Sequence, residues 1–416
     1  MTKVKKVKSK FLIISLILLP ITVCLYIVSL FSNNLINKPL SIVMLILSII
    51  FFVLLVIGII LKIKNKSNSM KLSIKIVLSV VFIFYYACAC LVMVLLYGPN
   101  DKVRSFLITS AMTTMEHQYF ATWFYNDEII SKTLGDNVVV ETNEEVDLEL
   151  VTVGNIDFNK IIYKNEYEEQ VLTKEEGNNL YKIINIDRDG YKAKLAVIYD
   201  PSKVILGVSK YIGTSLDVAK GQMLVDMSKR YDAVIGINAS GFVDPGYNST
   251  GGVPRGFVIS QGKLIVNNVW GRGYGGMVGF DSNNKLVLST SMNASQALAN
   301  GIRDAIQYGP FLIVNGKASF IKGNGGWGIA PRTAIGQRED GIVLLLAVDG
   351  RQAGSLGVDM GDLTQIMLDY GAVNAVNMDG GTSTAMSLNH KLISNPRNGA
   401  FQPKTRPIPD GWFVLK

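Results

Sequence analysis

Residues 374–386 read NAVNMDGGTSTAM. An apolar run ends in a carboxylate, Asp379, and is followed by two glycines and three hydroxyl residues. This reads as a buried strand that delivers an acid to a sheet edge, with a loop behind it whose glycines let the backbone approach a ligand closely. Upstream, GIVLLLAVDGR (341–351) is a second apolar strand ending in an acid, Asp349. Between the two, Asp359 or Asp362 can cap a helix that carries Leu363, Ile366, Met367 and Tyr370 on one face, and Gly371 stops it. The stretch is long enough for a right-handed crossover between parallel neighbouring strands. Asp349 and Asp379 would then share the carboxyl edge of the sheet, where open α/β sheets bind ligands. The strand DAVIGIN (232–238) brings Asn238 to its end in the same way.

An Asp at such a rim can act as a base or nucleophile, or accept a sugar hydroxyl. The following loop, Gly380, Gly381, Thr382, Ser383 and Thr384, offers N–H groups and hydroxyls suited to an anion. The plain alternative is a strand–turn–helix link with Asp379 as a cap. Arg351 stands two residues after Asp349, and PRTAIG (331–336) adds Arg332 and Thr333 just before another strand. Guanidinium groups suit bidentate phosphate contacts, although any single one reads equally as half of a surface salt bridge. GRGYGGMVG (271–279) lacks dinucleotide spacing, and there is no P-loop. GNGGWG (323–328) reads as a flexible rim loop whose Trp327 can stack on a sugar.

Further out, the 416 residues carry a net charge of +8, unevenly spread. Residues 1–100 hold 11 of the 41 basic residues, all Lys, and no acid; the rest carry 30 basic against 33 acidic residues. The excess flanks apolar runs at about 11–31, 41–61 and 72–97, each near the length that crosses a bilayer. It therefore reads as a topology signal, and a nucleic-acid partner is not expected. Five Lys before Phe11 and four between 62 and 71 set the N-terminus inside and everything after Gly98 outside. A cleaved signal peptide fits less well, since no small-residue cleavage site follows the first run.

The expected organisation is a three-helix transmembrane region over 1–98, an amphipathic connecting helix over 99–135, and an extracytoplasmic domain over 136–416. That domain is expected to be α+β or mixed α/β around a central mixed β-sheet. Residues 137–200 alternate apolar and polar runs and read as β-rich. Leu216, Ala219, Met223 and Met227 suggest a helix opening after Thr214–Ser215. Cys24, Cys88 and Cys90 all lie in the expected spans, so the outer domain is no disulfide scaffold. With only His117 and His390, a multi-His metal site is excluded. No cofactor is required; acids and carbonyls could hold Ca²⁺ or Mg²⁺, but no ligand spacing demands it.

GINASGF, GPFLIVNGK, PRTAIGQREDGIVLLLAVDGRQ, MGDLTQIMLDYGAVNAVNMDGGTSTAM and TRPIPDGWFV occur in that order over roughly residues 190–416. In this they resemble the phosphodiester glycosidase family. The resemblance aligns Asn238 with that family's N-A-G-F motif, Arg332 and Thr333 with R-T-A-I-G, Asp349 to Arg351 with V-D-G-R, and Asn377 with Asp379 to Gly381 with N-x-D-G-G. The chain departs from the family in three places. It has GGTST where G-G-S-S is usual, it inserts Ser240 in NASGF, and it ends in RPIPDGWFV where R-P-V-A-N is usual.

The resemblance implies a membrane-anchored hydrolase of a glycosyl-1-phosphodiester, such as one of N-acetylglucosamine, in a cell-surface glycan or exopolysaccharide. Asp379 would be nucleophile or base and Asp349 its partner. Arg332 and Arg351 would hold phosphate, Asn238 the sugar, and the 380–384 loop the anion. A non-catalytic binding or assembly factor for wall polymer on the same fold is the alternative.

Overall fold

The computed structural model describes residues 94–416 apart from 114–117, 143, 155–157, 159–161, 245–248, 269–274, 399 and 401, with scattered positions before residue 94. The three apolar runs thus lie almost wholly outside the described residues, as do the three cysteines and His117. Among the described residues no helix is long and apolar enough to cross a membrane. The chain divides into two units, Met1–Asp136 and Asn137–Lys416.

In the first unit, the single connecting helix expected over 99–135 is instead three helices, Asp101–Thr113, Tyr119–Thr122 and Asp127–Asp136. The helical spacing of the aromatics concealed a restart. The Asn126 side chain accepts from the Ile129 N–H at 2.8 Å and opens a new helix. Just before it, Tyr125 donates its hydroxyl to the Leu96 carbonyl at 2.8 Å, folding the segment back on itself.

The second unit is α+β with several sheets, and every strand pair among the described residues is antiparallel, not mixed. A seven-stranded sheet runs, in hydrogen-bonded order, Lys317–Ala318, Phe311–Val314, Ala372–Met378, Arg332–Arg338, Val343–Val348, Tyr191–Ile198, Tyr181–Arg188. A five-stranded sheet orders Lys391–Leu392, Met386–Leu388, Ala233–Asn238, Asp410–Leu415, Val204–Val208. A second five-stranded sheet is built from residues between Gly256 and Gln307.

Both faces of the seven-stranded sheet are covered, which is why VLLLAV is apolar without alternation. Val343, Leu345 and Ala347 enter the core shared with Trp412, Ile235 and Phe280 of the other sheets. Leu344, Leu346 and Val348 face the helix Met360–Asp369 through Leu363, Ile366 and Met367. Asp359 caps that helix, accepting from the Asp362 N–H at 3.0 Å, and Gly371 ends it at φ +81°.

The helix expected from Ser215 begins only at Leu224. The residues before it are drawn into bridges, Lys220 with Tyr211 and Gly251, and Gln222 with Ile408. Tertiary pairing there overrides the helical spacing.

Candidate active site

Val343–Val348 and Ala372–Met378 are parallel to each other, as expected, but they are not neighbours. The strand Arg332–Arg338 lies between them, antiparallel to both. Its register pairs Arg332 with Val348 and Thr333 with Met378. Asp349, Arg332 and Asp379 therefore come to one edge, with the two acids two strand spacings apart, roughly 10 Å along the edge.

The two sheets are stapled at this edge by Asn238. Its amide nitrogen donates to the Asp379 carbonyl at 2.6 Å, and its oxygen accepts from the Thr333 hydroxyl at 2.8 Å and the Ala385 N–H at 3.1 Å. The Asp379 N–H in turn donates to the Ala239 carbonyl at 3.0 Å. Asn238 and Thr333 are buried. These bonds engage the polar groups of both side chains and fix the position of Asp379. Asn377 is buried too, its amide donating to the Gly309 carbonyl at 2.9 Å, and it holds the segment that carries Tyr308.

The Asp379 carboxylate accepts from the Tyr308 hydroxyl at 3.1 Å. The Ser383 hydroxyl, the Gly380 N–H and the charge of Arg406 also favour its ionised form, but burial outweighs them and raises its pKa. The Asp349 carboxylate accepts from the Asn395 N–H at 2.7 Å, and burial raises its pKa against that bond and the charge of Lys194.

The 380–384 loop was expected to offer its amides to an anion. Most are already used: Gly381 donates to Pro331 at 2.9 Å, Ser383 to Gly380 at 3.2 Å, and Thr384 to Gly381 at 3.2 Å. The loop closes into a short 3₁₀ turn over Gly381–Ser383 that wraps the Asp379 carboxylate. Thr382 instead accepts from Arg351 Nη1 at 3.2 Å. Gly381 is left-handed at φ +62°, and a Cβ there would stand 3.1 Å from Arg351 Nη2.

Arg332 is buried. It donates to the carbonyls of Trp327, Gly328 (2.8 Å) and Val358 (3.4 Å), and burial lowers its pKa to about 10, leaving it charged at neutral pH. Arg351 acts on it as a nearby like charge. The Arg332 Nη1 lies 3.4 Å from the point where a Cβ on Gly380 would stand. Two guanidinium groups thus converge on Gly380 and Gly381 beside Asp379, and an anion there would relieve their repulsion. Trp327 packs on the core against Arg332, whose guanidinium lies 5.9 Å from the ring centroid. Among the described residues no group of three or more His, Cys, Asp or Glu could hold a metal ion.

Four further residues at this junction carry little signal in the sequence. Tyr308 carried no signal beyond its place before Gly309–Pro310. Ser240 and Asp410 looked like mere departures from a motif, yet they bond to each other. Arg406, in the divergent tail, pairs with Asp244 and lies over the Phe242 ring at 4.3 Å.

Residues 231–415 match the family model described as phosphodiester glycosidase. The chain is 32% identical over 209 residues to the SPbeta prophage-derived uncharacterized protein YomE of Bacillus subtilis (strain 168), covering 48% of this chain and 31% of that protein. It is 40% identical over 68 residues to the N-acetylglucosamine-1-phosphodiester alpha-N-acetylglucosaminidase of Bos taurus, covering 16% of this chain and 13% of the enzyme. The matches thus span less than a third of these relatives' own lengths. Among solved structures, the zebrafish N-acetylglucosamine-1-phosphodiester alpha-N-acetylglucosaminidase catalytic domain, auto-inhibited by its pro-peptide, aligns with TM-score 0.47 and 20% identity over 59% of this chain and 86% of that one.

Proposed function

With a phosphodiester glycosidase domain over residues 231–415 as the premise, we propose that the protein hydrolyses glycosyl-1-phosphodiesters, separating a sugar such as N-acetylglucosamine from a phosphorylated cell-surface glycan or exopolysaccharide. The observation that carries this reading is the half-buried Asp379 carboxylate beside two converging guanidinium groups, Arg332 and Arg351.

Water supplies the oxygen that ends on the anomeric carbon. The bond from that carbon to the bridging oxygen breaks, and its electron pair leaves with the phosphate as a phosphomonoester. A phosphomonoester departs readily without a strong general acid, so the site needs a carboxylate and cations more than an acid–base pair. Asp379 acts at the anomeric centre, as nucleophile or as base on water; in either case it gives up its negative charge. Arg351 and the Nη1 of Arg332 take the phosphate. Asp349, at the other end of the edge, takes sugar hydroxyls. No cofactor is needed for these steps, and Ca²⁺ or Mg²⁺ would be an addition to them.

The apolar runs and the Lys distribution before residue 100 support a membrane anchor with a cytoplasmic N-terminus and an extracytoplasmic domain. Protease added to intact cells is expected to remove the domain after Gly98 and spare the N-terminus; a protected domain would reverse the topology.

The function is tested by assaying the full chain in detergent against sugar-1-phosphodiesters and teichoic-acid fragments. Release of free sugar and phosphomonoester is expected. Binding of these polymers without release would favour the non-catalytic binding role.

A further inference from the structure

Ser240 and Asp410, both departures from the family's motifs, form one buried unit. The Ser240 N–H donates to Asp410 Oδ1 at 2.8 Å, and its hydroxyl lies 2.8 and 2.6 Å from the two carboxylate oxygens. Asp410 is fully buried and Ser240 nearly so. Asp410 opens the strand Asp410–Leu415, in which Gly411 pairs with Asn238. It thus clamps the end of Asn238–Ala239–Ser240, the tripeptide whose first two residues hold the Asp379 carbonyl and N–H.

Asp410 has no salt-bridge partner among the described residues. The Asp379 charge adds to burial in raising the Asp410 pKa, while Arg406, itself paired with Asp244, favours the ionised form of Asp379. The pairing of Gly411 with Asn238, and the bonds from Asn238 and Ala239 to the Asp379 backbone, bring Asp410 and Asp379 to one sheet junction.

We propose that the Ser240–Asp410 unit positions Asp379 and, through the charge on Asp410, makes Asp379 a stronger base or nucleophile. This rests on Asp379 acting at the anomeric centre. When both acids are ionised they repel each other. Asp379 loses its charge on taking a proton or bonding to carbon, so the repulsion raises the ground state and is relieved in the transition state. Burial and the Asp379 charge push Asp410 up to about 6, so the effect switches on as pH rises through that value.

The test variant is Asp410→Asn, which installs the last residue of the R-P-V-A-N motif and keeps the shape of the clamp. Carboxyl carbon NMR titration of the full chain should place one step near pH 6 in the unaltered protein. Asp410→Asn should remove that step, and Asp379→Asn should move it to lower pH. In kinetics, Asp410→Asn should lower kcat about tenfold at pH 7.5 with little change in KM, the equivalent of about one pKa unit of lost coupling. The two proteins should converge below pH 5. Ser240→Ala, which removes a bond to ionised Asp410, should move the titration step upward.

A ratio of rates that does not vary with pH, or an Asp410 step unmoved by Asp379→Asn, would overturn the inference alone. An unaltered protein that hydrolyses no phosphodiester would sink the hydrolase reading, and the strengthening of Asp379 with it.

Discussion

The two strand ends at the candidate site share one local design and differ in what it carries. Each strand closes with Asp, then Gly, then a residue in the left-handed region: Asp349–Gly350–Arg351 with Arg351 at φ +57°, and Asp379–Gly380–Gly381 with Gly381 at φ +62°. Pro331 sits between them at the head of the middle strand. A Cβ on Gly350 would lie 2.7 Å from its nitrogen, and one on Gly380 2.9 Å from its oxygen. Neither position has room for a side chain.

The third residue separates the roles. Arg351 accepts the strain of a left-handed backbone and reaches across toward Gly381, which has no side chain to obstruct it. The amides of the two acids also diverge. Asp349 donates to Lys192 within its own sheet, whereas Asp379 donates to Ala239 across the sheet junction. Asp379 is consequently the acid held by Tyr308, Ser383 and the second sheet, whereas the Asp349 carboxylate is held by the Asn395 N–H. Equivalent positions at two strand ends thus yield a cation donor at one and an acid held across the sheet junction at the other.

The comparison breaks most severely with Gly381→Val. A β-branched residue at positive φ is strained, and its side chain would displace Arg351. Turnover is expected to fall roughly a thousandfold, because orientation and phosphate contact are lost together; circular dichroism and kinetics on one preparation separate this from unfolding. Arg351→Gly sharpens the comparison by making the two ends alike. Removing the left-handed strain offsets the lost contacts by about 1 kcal/mol, so Tm should hold, while kcat/KM on phosphodiesters falls about a hundredfold. An uncharged aryl glycoside should be little affected.

Arg332→Ala is a poorer probe of phosphate binding. It leaves the Trp327 and Gly328 carbonyls unmatched and should cost about 1–3 kcal/mol of stability besides.

The pH dependence distinguishes the acids further. Burial raises Asp379, so activity that needs it ionised should rise with pH along a limb lying above the ordinary carboxylate value of about 3.9. Asp349→Asn should leave that limb in place. A smaller effect concerns stability. Asp410 has its pKa raised on folding, so its neutral form is favoured in the folded state. Stability is then greatest below the unfolded pKa of about 3.9 and declines as pH rises through about 6. Asp410→Asn should match the unaltered protein at pH 4 and exceed it by about 3 kcal/mol at pH 7.5, read by denaturant unfolding.

Much of this edge was legible in the sequence because the signals were local. Uniform apolar strands capped by Asp, a helix closed by Asp359 and Gly371, and Arg placed beside those ends each follow from short-range pattern. What escaped depends on pairing between distant segments. The strand Arg332–Arg338 inserts between two strands that looked adjacent, a fact of register and not of composition. Asn238 and Thr333 stand out by motif, but the partners that hold them, 141 and 95 residues away in the chain, are set by the fold. The loop amides look free in the sequence, yet most are taken up by a turn and by Pro331. Ser240 and Asp410 were visible only as two separate oddities, 170 residues apart, until the fold joined them.

The central claim is that Asp379 performs the chemistry and its counterpart Asp349 does not. The most direct measurement is kcat for Asp379→Asn and Asp349→Asn side by side on one sugar-1-phosphodiester, with the dissociation constant measured on the same samples. The expected result is a loss of roughly a thousandfold or more for Asp379→Asn with binding retained, since the missing interaction belongs to the transition state. For Asp349→Asn a loss of about tenfold is expected, carried mostly by KM. Near-unaltered turnover in Asp379→Asn, or the larger loss in Asp349→Asn, would contradict the account.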